Sequence, residues 1–193
     1  MHIAPIPVQT ADEDVRALYA QDLEDDGYIA NMTLLFSLNP PAYRAWAQLA
    51  AAIRGPLGLR RYELATIAAA RALRCRYCIS AHGDNVLTSN IFDRGQLEAI
   101  TRDFRSAGLP PEDVAVMEVA EKVALHAYRV TPDDIQRLRD FGLTDPEIFN
   151  VVLASAARCF FSKSLDAMGA EPDEALAATN DLIELVDSGA TDR

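Results

Sequence analysis

Basic residues are scarce in this chain: 18 Lys and Arg stand against 29 Asp and Glu, giving a formal charge of −11. Phosphate-rich partners are held by clustered Lys and Arg, so neither nucleic acid nor an anionic membrane surface is expected to bind. Long apolar runs are missing too. No stretch of about 18 uncharged apolar residues is available to cross a bilayer, and the opening MHIAPIPVQTADEDV lacks the basic and apolar regions of a signal peptide. A cytoplasmic location is therefore expected. Three cysteines in 193 residues are too few for a disulfide framework. Strand-like alternation of apolar and polar residues is absent, which predicts an all-α fold.

What is present is a half-apolar composition, enough for one good core in a single domain. Helix punctuation divides it. Thr10 followed by Glu13 reads as a capping box for a helix to about Leu23, and Asn39 before Pro40 and Pro41 opens another that Gly55 and Pro56 stop. Asp93 with Gln96, Thr131 before Pro132, and Thr144 with Glu147 mark three further starts; Gly108, Gly142 and Gly169 mark ends. A last helix is expected near Asp173 to Val186, then a polar tail. Pro5 and Pro7 make the first residues an extended arm, suited to lie on a partner.

The chemistry concentrates between Glu63 and His82, ELATIAAARALRCRYCISAH, which holds two of the three cysteines and one of the three histidines. On one helix, Cys75, Cys78 and His82 share a stripe through i, i+3 and i, i+4 spacing. A thiol reacts only as thiolate, and an unperturbed cysteine near pKa ~8.5 supplies a few per cent of it at neutral pH. His82, one turn from Cys78, and a helix N-terminus near Cys75 both favour Cys78 as the reactive thiol. Glu63 poses a geometric condition. In one unbroken helix it lies on the order of 22 Å from Cys78, so it reaches His82 only if the chain breaks near Leu73 to Arg76 and folds back. Otherwise it is a surface acid pairing with Arg60 or Arg61.

Zinc is the competing use of C-x2-C with a histidine, with Cys159 as a fourth ligand, but the second ligand pair of a structural site is missing, so redox chemistry is favoured and no metal is assigned. His2 and His126 read as bystanders, Cys159 as a small buried hydrophobe, and Tyr77 as packing ahead of proton relay. A shift of 84 residues superposes Gly58 on Gly142, Glu63 on Glu147, Arg74 on Arg158 and Cys75 on Cys159. The second copy has Ser162 at the place of Cys78 and Asp166 at that of His82, so it reads as a degenerate repeat without the thiol pair or base. Residues 1–56 then form an N-terminal arm and helices, 57–105 the active unit and 106–193 the degenerate one.

The series Glu63, eleven residues, Cys75-Arg-Tyr-Cys78, three residues, His82 resembles the signature of the AhpD-like alkyl hydroperoxidases within the carboxymuconolactone decarboxylase family. FSLNPPAYRAW is similar to the uncharacterised peroxidase-related members. The resemblance implies a helical homo-oligomer, commonly a trimer or hexamer, that needs no cofactor. It further implies that Cys78 attacks a hydroperoxide, that Cys75 condenses with the resulting sulfenate to a disulfide, that His82 activates Cys78, and that Glu63 relays protons. A dithiol reductant restores the pair, with lipoyl-bearing proteins as donors in characterised relatives. Such relatives can carry histidine where this chain has Tyr77. Two other activities fit the same residues: a disulfide-exchange adaptor for a partner peroxidase, and a decarboxylase-like enzyme using His82 and Glu63 as base and acid.

Overall fold

A computed structural model of the chain describes residues 1–188. The helices are α1 (Glu13–Asp25), α2 (Asn31–Phe36), α3 (Pro40–Leu57), α4 (Leu59–Leu73), α5 (Arg76–Thr88), α6 (Arg94–Asp103), α7 (Pro111–His126), α8 (Pro132–Asp140), α9 (Asp145–Ala167) and α10 (Leu182–Ser188). Among the described residues there is no strand, so the fold is all-α.

The centre is α4. Every residue from Tyr62 to Arg71 is buried, and its alanines let α7 and α9 approach its backbone while α3 and α5 close the remaining sides. Leu64, Ile67, Phe104, Met117, Leu138 and Leu165, each under 2% exposed, belong to one core that extends from Leu35 to Val186. At roughly 1.5–3 kcal/mol for each large apolar side chain, burial is the dominant stabilising term. A smaller cluster of Ala11, Val15 and Tyr19 sits under the N-terminal segment.

Caps account for most boundaries. Asn39, Asp93, Thr131 and Thr144 each accept a hydrogen bond from a first-turn N–H, and Thr131 and Thr144 complete capping boxes with Asp134 and Glu147. Three expectations need correction. Asp12, not Thr10, caps α1, because its carboxylate reaches Val15 N at 2.9 Å while Thr10 closes a short 3-10 turn. The helix α3 continues past Gly55 and Pro56 to Leu57; a proline this late removes one donor bond, and termination falls to Gly58 at φ 78°, a left-handed value that glycine adopts freely. The last helix is shorter than expected. Asp173 is drawn to Tyr77 and Asn31 instead of capping a helix, so a 3-10 turn (Glu174–Leu176) precedes α10. The polar tail beyond 188 lies outside the described residues.

The arm folds back on its own chain. Ile6 N donates to Ser37 Oγ at 3.0 Å, Tyr19 Oη donates to Ile6 O at 2.6 Å, and His2 N donates to Met168 O at 2.7 Å. Helix α9 is long and apolar enough by composition to cross a bilayer, yet it packs on α3, α4 and α7 as a core helix and buries Arg158 in its middle. The 84-residue shift aligns α4 and α5 with this single helix, so the second copy lacks the break of the first.

Candidate active site

The condition set by Glu63 is met by a break between α4 and α5. Helix α4 ends at Leu73, Arg74 takes a left-handed conformation at φ 59°, and Cys75 is extended as the residue before α5. A non-glycine residue in that region is strained by about 1–2 kcal/mol; Arg74 N to Arg71 O at 3.0 Å and Cys75 N to Ala70 O at 3.1 Å hold the turn. The chain reverses, and His82 Nδ1 comes to 2.6 Å from Glu63 Oε2, with both side chains buried. A carboxylate only accepts, so Nδ1 carries the proton and Nε2 is the nitrogen left for chemistry. Thr66 Oγ1 lies 3.4 Å from the same Nδ1 and is itself anchored on Tyr62 O and Glu63 O. Arg60 and Arg61, the surface partners considered for Glu63, bind Asp113 and Glu147 instead.

Cys75 and Cys78 are both free thiols and both at most 1% exposed. Cys78 is one turn into α5. A hydrogen bond from the Cys75 thiol, the Arg158 guanidinium, the Ser162 hydroxyl and the charge of His82 hold the Cys78 thiol well below the ordinary range, against the opposing effect of burial. The contacts are direct: Ser162 Oγ donates to Cys78 Sγ at 3.1 Å, and Arg158 Nη1 donates to it at 3.5 Å. Cys75 is shifted the other way, because it donates its proton to Cys78 and is itself buried. The pair therefore divides its roles, Cys78 as thiolate and Cys75 as thiol.

Arg158 and Ser162 carry no role in the sequence reading. The 84-residue alignment named both as relics of a degenerate copy; in the fold that copy is α9, packed against the CxxC turn, and it supplies the partners of Cys78. The same stretch of α9 faces Cys75, whose Sγ lies 3.9 Å from Ser162 O. Arg158, 3% exposed, lies over the Trp46 and Phe161 rings.

These groups open on a cleft of about 260 Å³ floored by Cys78, His82 and Arg158 and walled by Met32, Trp46 and Phe161. The Tyr77 hydroxyl donates to Asp173 and accepts from Met32 N at 3.3 Å, tying α5 to α2 and to the segment before α10. Cys159 sits half-buried with Sγ 3.8 Å from Ala124 O, and His126 is exposed beside Tyr128. Among the described residues no three His, Cys, Asp or Glu side chains converge as a metal-binding group.

Fold and site together define an all-α, CxxC-bearing protein of the AhpD-like architecture. The coordinates superpose on an alkylhydroperoxidase AhpD core, an uncharacterised peroxidase-related protein from Ralstonia eutropha, with TM-score 0.84, 20% identity, and 93% and 95% of the two chains covered. A peroxidase-related protein from Silicibacter follows with TM-score 0.80, 17% identity, and 88% and 90% coverage. The debrominase Bmp8 has the same fold, with TM-score 0.71, 17% identity, and 94% and 97% coverage. No curated protein matches the sequence. Residues 40–122 match the carboxymuconolactone decarboxylase family. That match spans Glu63, Cys75, Cys78 and His82 and ends before α9.

Proposed function

We propose that this protein is a thiol-dependent alkyl hydroperoxidase, a peroxiredoxin-type oxidoreductase working through Cys75 and Cys78. The observation that carries the reading is the setting of one buried pair: Cys78 Sγ, beside Cys75 in the CxxC turn, accepts from Ser162 Oγ at 3.1 Å and Arg158 Nη1 at 3.5 Å in a cleft shared with the carboxylate-held imidazole of His82. The Cys78 thiolate attacks one oxygen of the hydroperoxide, the O–O bond breaks, and the departing alkoxide takes a proton from His82 Nε2 to leave as alcohol. Cys78 is now a sulfenic acid. The Cys75 sulfur displaces its hydroxyl, which leaves as water with the Cys75 proton, and a Cys75–Cys78 disulfide forms. A dithiol then reduces the disulfide and becomes a disulfide itself. Cys78 regains its thiolate by passing a proton to His82, which Glu63 holds in place and whose positive charge it offsets.

Burial of both sulfurs disfavours exchange with a folded protein disulfide and favours a slender donor that enters the cleft, such as a lipoyl arm. The proposal extends to a reducing cytoplasm and to a homo-oligomer, a trimer or hexamer. It is tested by intact mass after a peroxide pulse and by turnover with a dithiol reductant. The expected results are a loss of the mass of two hydrogen atoms from the wild type, reversed by reductant, and no turnover in Cys78→Ser. Undiminished turnover in that variant contradicts the reading, and survival of activity without both cysteines favours the acid–base enzyme built on His82 and Glu63.

A further inference from the structure

The cleft has more hydrogen-bond donors than acceptors. Among the described residues, Trp46 Nε1 and Arg158 Nε are buried without a partner, and both residues line this one cleft. A buried donor left unmade costs about 1–3 kcal/mol, so their placement together asks for acceptor atoms from a ligand. At the rim stands a third unmatched donor. Arg54, exposed on α3 and lining the same cleft, makes no ion pair with any described residue, although acidic residues outnumber basic ones in the chain. The acid of the cleft, Glu63, is committed to His82 at 2.6 Å. Arg54 and Arg158 both line the cleft, as does Tyr62, whose hydroxyl feels both charges, so positive charge runs along it. Between them the walls are apolar: Met32, Trp46, Ala50 and Phe161.

We infer that the cleft selects compact organic hydroperoxides bearing a carboxylate, with Arg54 binding the carboxylate, the apolar walls holding the body and the donors at Arg158 and Trp46 receiving the oxygens. This deepens the hydroperoxidase reading and rests on it for the word hydroperoxide. Hydrogen peroxide offers nothing to the apolar walls or to Arg54. A neutral hydroperoxide leaves Arg54 unmatched. The chain's formal charge of −11 repels anions elsewhere on its surface, so discrimination in favour of an anion is a property of this cleft alone.

The test compares cumene hydroperoxide bearing a para-carboxylate with its methyl ester, under a common dithiol reductant. A charge-assisted contact predicts about a tenfold higher kcat/KM for the acid, carried by KM and shrinking with added salt. In Arg54→Gln the acid-to-ester ratio falls to near one, and Arg54→Lys restores part of it. Equal kcat/KM for acid and ester in the wild type overturns the inference while leaving the hydroperoxidase reading standing. Trp46 is the only tryptophan, so its fluorescence gives a readout independent of turnover. Saturable quenching by 4-isopropylbenzoate, weaker for its methyl ester and lost in Arg54→Gln, supports the carboxylate site even if no peroxide is consumed, in which case the hydroperoxidase reading alone fails. Equal quenching by acid and ester refutes the site.

Discussion

Replacing Arg158 with methionine should cost reactivity and, at pH values where Cys78 is ionised, stability. Arg158 is 3% exposed, has Cys78 Sγ at 3.5 Å from Nη1, and lies over Trp46 and Phe161. A hydrogen bond to a charged group is worth about 1.5–3 kcal/mol, and each 1.4 kcal/mol is a factor of ten. Arg158→Met should therefore lower the acid dissociation constant of the Cys78 thiol by roughly 10- to 100-fold and move its alkylation profile to higher pH. The same variant keeps an apolar stem between the two rings but removes one partner of a buried ion pair, which leaves the Cys78 thiolate without its counter-charge and lowers stability where that thiolate is formed. The pH dependence of stability changes with it. In the wild type the Cys78 thiol is held below the ordinary thiol range, so the unfolded chain binds more protons there than the native one. That contribution is complete above the unfolded value and is lost as pH falls through the depressed folded value. Cys75 is raised, so its contribution is complete below the unfolded value and is lost on the alkaline side. Stability should rise with pH towards the ordinary thiol range, and Arg158→Met should flatten that rise. The assay is the pH profile of iodoacetamide alkylation beside the thermal midpoint at several pH values. A folded Arg158→Met protein with the wild-type alkylation profile refutes Arg158 as the counter-charge of Cys78.

Glu63→Gln keeps the shape beside His82 and removes the charge that orients and supports it, so kcat/KM for hydroperoxide should fall about 10- to 100-fold, with a changed pH profile; an unaltered profile argues against Glu63 as the orienting group. Tyr77→Phe strips a partner from the buried Asp173 carboxylate and loosens the tie between α5 and α2, an expected loss of about 1–3 kcal/mol in chemical denaturation. A proton-relay role for Tyr77 predicts instead a pH-dependent rate defect at wild-type stability. Gly83→Ala places a Cβ 2.7 Å from Leu182 Cδ1. Helix propensity returns up to about 1 kcal/mol, and overpacking against the fully buried Leu182 costs about 1–3, so a net loss centred on α10 is expected, read as faster amide exchange there.

Much of the fold was legible because helix boundaries are local. Asn39, Asp93, Thr131 and Thr144 cap where their side chains reach N–H groups two or three residues on, and such contacts depend on sequence neighbours alone. The misjudged ends were decided at long range: Asp173 binds Tyr77 across 96 positions instead of starting a helix. The same division runs through the candidate site. Cys75, Cys78 and His82 stand out by spacing, and Glu63 by the condition it imposes on the chain.

By itself, then, the sequence determined the helical class, the thiol pair and its base, and the requirement for a break near Leu73 to Arg76, since all of these follow from composition, periodicity and short spacing. Only the tertiary structure decided that the break exists, with Arg74 in a left-handed turn that brings Glu63 to His82. Only it decided that α9, which on alignment was the empty copy, presents Arg158 and Ser162 to Cys78. The physical reason is that a thiolate is stabilised by charge and hydrogen bonds at distances of a few ångströms, and the residues supplying them lie 80 and 84 positions away.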